Sequence, residues 1–278
     1  MSLKINQNKN KLIKFANEIR LKCLDMTSKG GSSHIGSILS IVDIVSVLYC
    51  CVIKFNIQNP KDPLRDRFIL SKGHSGVCIY AILAKLGFFK SQELENFYKN
   101  GSRFSGHVSH IKIPGVELST GSLGHGLGVG MGMALAAKLE KRNNHIYVLL
   151  SDGELDEGSN WEAFLFAPHN KLDNITVIID YNKLQSLDSI QNTLNLEPLS
   201  SKFISFGWEV FHSMGHSHDD LLKNFISAKN SPKPSVVICH TTKGYGVDFM
   251  ENSVLWHYRT PRGEEFLEAK KQLLKRMG

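Results

Sequence analysis

Asp152 and Asn182 stand in matching places. Each follows an apolar, strand-length run: Ile146–Leu150 leads into Ser151-Asp152-Gly153, and Ile175–Ile179 into Asp180-Tyr181-Asn182. Between Gly153 and Asn182 lie 28 residues, room for one helix and one strand. A carboxylate and an amide oxygen are hard ligands. With a backbone carbonyl just after Asn182 they would form part of an octahedral Mg2+ site. Mg2+ commonly completes its shell with water and phosphate oxygens, and Gly153 lets a diphosphate approach the backbone closely. A lone Asp-Gly is ordinarily a turn, so the weight lies on the spaced pair.

A second signal is the run from Thr120 to Gly132, with glycine at 121, 124, 126, 128, 130 and 132. Inside a helix each costs roughly 1 kcal/mol relative to alanine. Gly121 and Gly124 are read as making room for a diphosphate at a helix N-terminus. The later ones also fit a smooth face packed on a neighbour. No G-x-G-x-x-G occurs, so a dinucleotide fingerprint is not supported.

Histidine is abundant, with 12 residues. His34, His74 and His107 have Gly or Ser neighbours that leave a ring accessible, and His257 follows Trp256. Histidine moves protons both ways near neutrality. His212, His216, His218 and His240 are read as surface or internally satisfied residues. No histidine pair has zinc spacing on a credible helix.

The elements that must position these groups alternate. Helical periodicity runs over Leu12–Met26, Ser37–Val52 and Ser75–Leu86, and after Gly121 towards Lys141. Strand-like runs are Arg67–Ser71, Ile146–Leu150, Ile175–Ile179, Trp208–Phe211 and Val236–Cys239, with a helix over Asp219–Lys229. This order predicts an α/β fold of three layers: a parallel sheet covered by helices on both faces. Ligands bind such sheets at the carboxyl ends of the strands.

Composition narrows the class. The chain of 278 residues is 42% apolar, too much for disorder, and its apolar stretches are broken too early to span a membrane. No secretory signal is visible, and the five cysteines lack a C-x-x-C pair, which fits a reduced, cytoplasmic setting. The net charge of +7 divides into +8 at the two ends and −1 between them. The expected organisation is a basic N-terminal tail over 1–14, a single diphosphate-binding domain over 15–269 and a basic C-terminal tail over 270–278. The body is therefore not a nucleic-acid binder by charge.

The motifs in order resemble the N-terminal, diphosphate-binding half of transketolase, a thiamine diphosphate enzyme. They are Gly31-Ser-Ser-His34-Ile-Gly36, Leu70-Ser-Lys-Gly-His74, Gly106-His107, Pro114 through Gly124, Asp152-Gly-Glu154 with Glu157-Gly158, Asp180 through Gln185, and Lys243-Gly-Tyr-Gly246 through His257. The likeness runs from about Leu12 to about Glu265. It implies that Asp152, Asn182 and the carbonyl of Leu184 hold Mg2+ or another divalent cation. It implies that His74, Gly121, Ser122, Leu123, Gly153, Glu154, Asn182 and His257 contact the cofactor. His34, His74, His107 and His257 would be catalytic, binding sugar hydroxyls and moving protons. Glu157 resembles an acid at the subunit contact. The implied reaction moves a two-carbon ketol unit from a ketose, or its phosphate, to an aldose, or its phosphate.

Three positions depart from the family pattern. Ser151 stands where Gly is usual, His125 where Gln is usual, and no acid closely follows His107. The half that binds the aminopyrimidine and supplies the catalytic glutamate is expected on a second polypeptide, in an α2β2 heterotetramer. Other readings are an α-type subunit of a thiamine diphosphate-dependent 2-oxoacid enzyme, a non-catalytic scaffold and, on the basic ends alone, a nucleic-acid binder. The four histidines argue against the first of these.

Overall fold

A computed structural model describes residues 9–277. In chain order the elements are α1 (Lys9–Gly30), α2 (Ile35–Ser40), α3 (Val42–Val47), β1 (Arg67–Leu70), α4 (Gly76–Leu86), α5 (Gly126–Leu139), β2 (Ile146–Ser151) and α6 (Gly158–His169). Then come β3 (Ile175–Tyr181), α7 (Ile190–Thr193), α8 (Leu199–Ser205), β4 (Glu209–Met214), α9 (His218–Lys229), β5 (Ser235–His240) and α10 (Gly263–Lys275). The strands form one sheet in the order β1-β2-β3-β5-β4, and every adjacent pair is parallel.

Central strands β2 and β3 are buried at every position, which is why they read as mostly apolar runs. Alternation still sorts their side chains. Tyr147 and Leu149 enter the layer built by α1, α3, α4 and α9. Ile146, Val148 and Leu150 enter the layer built by α5, α6 and α8. A third cluster joins Leu24, Leu39, Trp256 and Leu273, tying α1 and α2 to α10. The three-layer arrangement is the one expected. In α5, a Cβ on Gly130 would lie 2.5 Å from Val148 Cγ2, so this glycine lets the helix lie close on β2.

Two expectations need correction. The helix expected over Ser37–Val52 is broken after Ser40 and ends in a π-helical turn over Leu48–Val52. The Ser37 carbonyl accepts from Ser40 Oγ and Ser75 Oγ, each at 3.0 Å, and from Lys72 Nζ at 3.2 Å. The Ile41 N–H turns to Ile38 instead, so outside donors interrupt the helical ladder.

The basic ends are the second. Lys9–Lys14 opens α1, and residues 270–275 close α10, so the boundaries drawn at 14 and 269 fall inside helices. Leu12, Ala269 and Leu273 are buried while the neighbouring lysines face outwards, an amphipathic pattern that charge counting hides. Residues 1–8 of the expected N-terminal tail, and residue 278, lie outside the described residues. Among the described residues no helix is long and apolar enough to cross a membrane.

Candidate active site

The carboxyl ends of four strands deliver one charged or amide side chain each. Lys72 follows β1, Asp152 follows β2, Asn182 follows β3 and Lys243 lies beyond β5, and all four line one cleft. His34, His74, His107 and His257 line it as well, with Gly121, Leu123, Gly153 and Leu184.

The floor of the cleft is a set of oxygen donors. Asp152 is 1% exposed; its Oδ1 accepts from the Gly153 N–H at 2.8 Å and its Oδ2 from the Lys183 N–H at 2.6 Å. Lys183 sits at φ 65°, a left-handed backbone that a non-glycine residue adopts at a cost of about 1–2 kcal/mol. This curl lets the Leu184 N–H reach Asn182 Oδ1 at 3.1 Å. The Leu184 carbonyl accepts from Lys243 Nζ at 3.0 Å. Burial, then the neighbouring Asp180 charge, pushes the Asp152 carboxyl up to about 7. A divalent cation on these oxygens would supply the missing countercharge, so one carboxylate, one amide and one carbonyl fit Mg2+. Among the described residues no group of three His, Cys, Asp or Glu side chains forms a metal cluster.

Glycines shape the wall. A Cβ on Gly153 would lie 3.0 Å from Gln185 Cγ, and one on Gly121 would lie 3.4 Å from His107 Cδ2. A side chain at Gly153 would crowd Gln185, whereas one at Gly121 would meet the His107 ring at ordinary contact distance.

Lys72 also belongs to a buried ion pair. Lys72 Nζ donates to Asp180 Oδ2 at 2.6 Å, and both side chains are at most 1% exposed. Ser40 Oγ donates to the same oxygen at 2.6 Å and Thr241 Oγ1 to the other. Burial alone would raise the Asp180 carboxyl, but the Lys72 charge and these hydrogen bonds outweigh it and hold it below the ordinary range.

Four histidine rings close the top. His34 lies 5.0 Å from His257, 5.2 Å from His74 and 5.7 Å from His107, between ring centroids. His34 caps α2 at φ 72°, again left-handed, and its N–H donates to the His257 carbonyl at 2.8 Å. Desolvation, then nearby positive charge, lowers His34 to about 4 and His257 to about 3. His74 is lowered well below 6.5 for the same reasons, and desolvation also lowers His107. All four are neutral at pH 7. The Lys243 ammonium, itself lowered to about 8 by burial and Lys72, lies 3.0 Å from His257 Nδ1. Lysine only donates, so His257 keeps its proton on Nε2.

These shifts carry a pH consequence. Between 6.5 and the lowered values, the unfolded chain takes up protons that the folded chain refuses, so falling pH costs stability. Asp152 works oppositely, because its raised value favours the fold as pH falls below about 7. His257→Asn is expected to remove part of the histidine loss and leave the Asp152 effect. Its melting temperature, relative to wild type, should therefore rise steadily from about pH 6.5 to about pH 4. A difference that does not change with pH would refute a depressed His257.

Ten of the residues expected from sequence meet in this cleft. Ser122, Glu154 and Glu157 do not line it. Glu154 is fully buried beneath the glycine loop, where its Oε1 accepts from the Gly124 N–H at 3.0 Å and from Ser71 Oγ. It supports the loop. Ser122 points to solvent, and Glu157 is exposed at the start of α6. Gly124, favoured from sequence as a ligand contact, packs against Ser159 and Glu157 at φ 81°. Lys72, Lys243, Ser37 and Tyr258 line the cleft without having been singled out. The two lysines had a legible signal, since each precedes a glycine just past a strand.

The family model for the thiamine diphosphate-binding domain of transketolase matches residues 12–275. The chain belongs to the transketolase family. Among transketolase relatives, one of the named subunits of an apulose-4-phosphate transketolase from Phocaeicola vulgatus is 38% identical over 259 residues, 93% of this chain and 92% of that subunit. The SqwG subunit of a 6-deoxy-6-sulfo-D-fructose transketolase from Clostridium sp. is 39% identical over 244 residues, 87% of this chain and 88% of that subunit. The transketolase structure from Campylobacter jejuni superposes with a TM-score of 0.91 at 34% identity, covering 96% of this chain and 43% of that enzyme. The resemblance read from the motifs is borne out, and the 2-oxoacid reading gives way to the transketolase one. This chain thus spans less than half of the solved transketolase and nearly all of the two subunits.

Proposed function

We propose that this chain is the diphosphate-binding subunit of a two-chain transketolase, and that with a partner it passes a two-carbon ketol unit from a ketose to an aldose. The observation that supports this is that one cleft is lined by Asp152, Asn182 and Leu184, by Gly121 and Gly153, and by His34, His74, His107 and His257. Asp152, Asn182 and the Leu184 carbonyl would hold Mg2+, and through it the diphosphate of thiamine diphosphate. When bound, the cofactor supplies the carbon nucleophile and the electron sink.

The chain's own residues do the rest. Lys243 adds positive charge beside the floor. His257 presents Nε2–H as a donor to a substrate oxygen. His34, His74 and His107, being neutral, can accept a proton from a sugar hydroxyl and return it. Substrates would be sugars or sugar phosphates. The partner would be the pyrimidine-binding, C-terminal type of subunit, bringing the catalytic glutamate, and the assembly an α2β2 heterotetramer with Glu157 at a contact. Support for a partner comes from the relatives that match along nearly their whole length, since each is named as one subunit of its enzyme. The setting proposed is carbohydrate metabolism in the cytoplasm, with no nucleic-acid or membrane partner.

The test is an assay of this chain alone and co-purified with its partner, using a panel of ketose donors and aldose acceptors. Ketol transfer by the pair and none by the single chain is expected. Turnover of pyruvate without ketose turnover would overturn the reaction. Full transfer by the single chain would overturn the divided site.

A further inference from the structure

One charged cluster lies outside the cleft and has no place in the chemistry above. Asp43, on α3, is 3% exposed and pairs with Arg20 of α1. Its Oδ1 accepts from His218 Nε2 at 2.8 Å, and its Oδ2 lies 2.8 Å from His216 Nδ1. Burial alone would raise this carboxyl, but the Arg20 charge and the two histidine hydrogen bonds hold it well below the ordinary range. Asp43 is therefore an acceptor only.

On its other side, His216 Nε2 accepts from the Thr242 backbone N–H at 2.9 Å. A ring nitrogen that accepts from an amide carries no proton. The proton of His216 is thus on Nδ1, pointing at Asp43. The ring is also stacked on Tyr245, with centroids 3.5 Å apart and planes 10° apart. Arg20 lies over the same tyrosine ring at 5.1 Å and Arg276 at 4.6 Å. The imidazole is held on both edges and one face.

Thr242 sits between Thr241, which reaches the Asp180–Lys72 pair, and Lys243, which lines the cleft. Thr241 Oγ1 donates to Asp180, the partner of Lys72. Lys243 Nζ donates to the carbonyls of Leu184 at 3.0 Å and Gln185 at 2.8 Å, and meets His257. Neither His216 nor Asp43 lines the cleft. We infer that His216, its tautomer set by Asp43, is a positioning residue: it clamps the Thr242 amide and so holds Thr241 and Lys243 in register with the cofactor floor. This rests on the reading of that floor as a Mg2+–diphosphate site. Groups that hydrogen-bond directly to a metal ligand commonly change metal affinity by about 10–100-fold when removed; His216 acts through the neighbouring loop, so the lower end of that range is expected.

The test compares wild type, His216→Phe and His216→Gln, each in complex with the partner subunit. Phenylalanine keeps the stack on Tyr245 but cannot accept from Thr242; the glutamine carbonyl can. Calorimetric titration with thiamine diphosphate in excess Mg2+ should show Kd raised about 10-fold for His216→Phe and by less than about 3-fold for His216→Gln. The ligand-free melting temperature of His216→Phe is expected to fall, because Asp43 loses one partner and the Thr242 N–H its acceptor, so the affinities are compared at a temperature where all three complexes are folded. Wild-type affinity in His216→Phe would overturn the inference. Where His216→Phe fails to fold, nitrogen NMR of the wild-type ring decides: a proton on Nδ1 alone supports the clamp, and a proton on Nε2 at neutral pH refutes it. A wild-type complex that binds no thiamine diphosphate would instead refute the reading of the floor.

Discussion

Asp152→Asn is expected to weaken Mg2+-dependent binding of thiamine diphosphate by a factor of about 100 or more, measured by calorimetry on the complex with the partner. Losing an outer partner of a metal ligand costs about 10–100-fold, and this change removes the only carboxylate in the donor set. The same substitution should not weaken the ligand-free fold. Asp152 is buried next to Asp180 and its carboxyl is raised to about 7, which means that ionisation there opposes folding. The sign follows from linkage. Above 3.8 the unfolded chain gives up this proton while the folded chain keeps it, so stability falls as pH rises to about 7 and stays lowered above it. At neutral pH that cost is of the order of a few kcal/mol. Against it stands the Lys183 N–H, which donates to a carboxylate oxygen and would face an amide. Net stability near or above wild type, with the ligand-induced rise in melting temperature gone, is the expected pair of results. Affinity within about threefold of wild type would remove Asp152 from the metal site.

Lys72→Met is expected to cost about 3–5 kcal/mol of stability, because it strands the Asp180 carboxylate without its countercharge. The methylene stem is largely replaced by the methionine, so the loss is mostly electrostatic. At about 2–4 °C per kcal/mol for a chain of this size, the melting temperature should fall by roughly 10 °C. Replacing both partners, as Lys72→Met with Asp180→Leu, should recover much of the loss, since a buried pair gains little over well-packed apolar groups. The double variant should still bind cofactor poorly, because Asp180 also accepts from Thr241 and from Asn182 Nδ2. A Lys72→Met melting temperature close to wild type would show that water or rearrangement already satisfies Asp180.

The parts legible in the sequence share a cause. Strand positions in a sheet covered on both faces are mostly apolar, so β2 and β3 announced themselves. Chemistry placed just past those strands was legible for the same reason. The helices over Leu12–Met26 and Asp219–Lys229 were legible from their period. What stayed hidden depends on separation in the chain. Lys72 and Asp180 meet across 108 positions, and Asp43 and His216 across 173. No local pattern encodes such a meeting. His216 and His218 have unremarkable sequence surroundings, yet they hold a buried carboxylate. Glu154 departs from its expected role because its neighbours in sequence face the cleft, while its side chain turns under the Gly124 loop.

By itself the sequence determined the class of fold, the strand ends and the order of motifs that marks a transketolase-type diphosphate site. The fold class and strand ends follow from local rules, period and apolar run length, whereas the transketolase-type site was read from the resemblance of the ordered motifs. Only the tertiary structure decided which charges face one another. It brought Lys72 and Lys243 to the cleft and gathered His74, His107 and His257 around His34. It placed residues 9–14 and 270–275 in amphipathic helices. The physical reason is that desolvation and Coulomb energy depend on distance and burial, which belong to the folded chain.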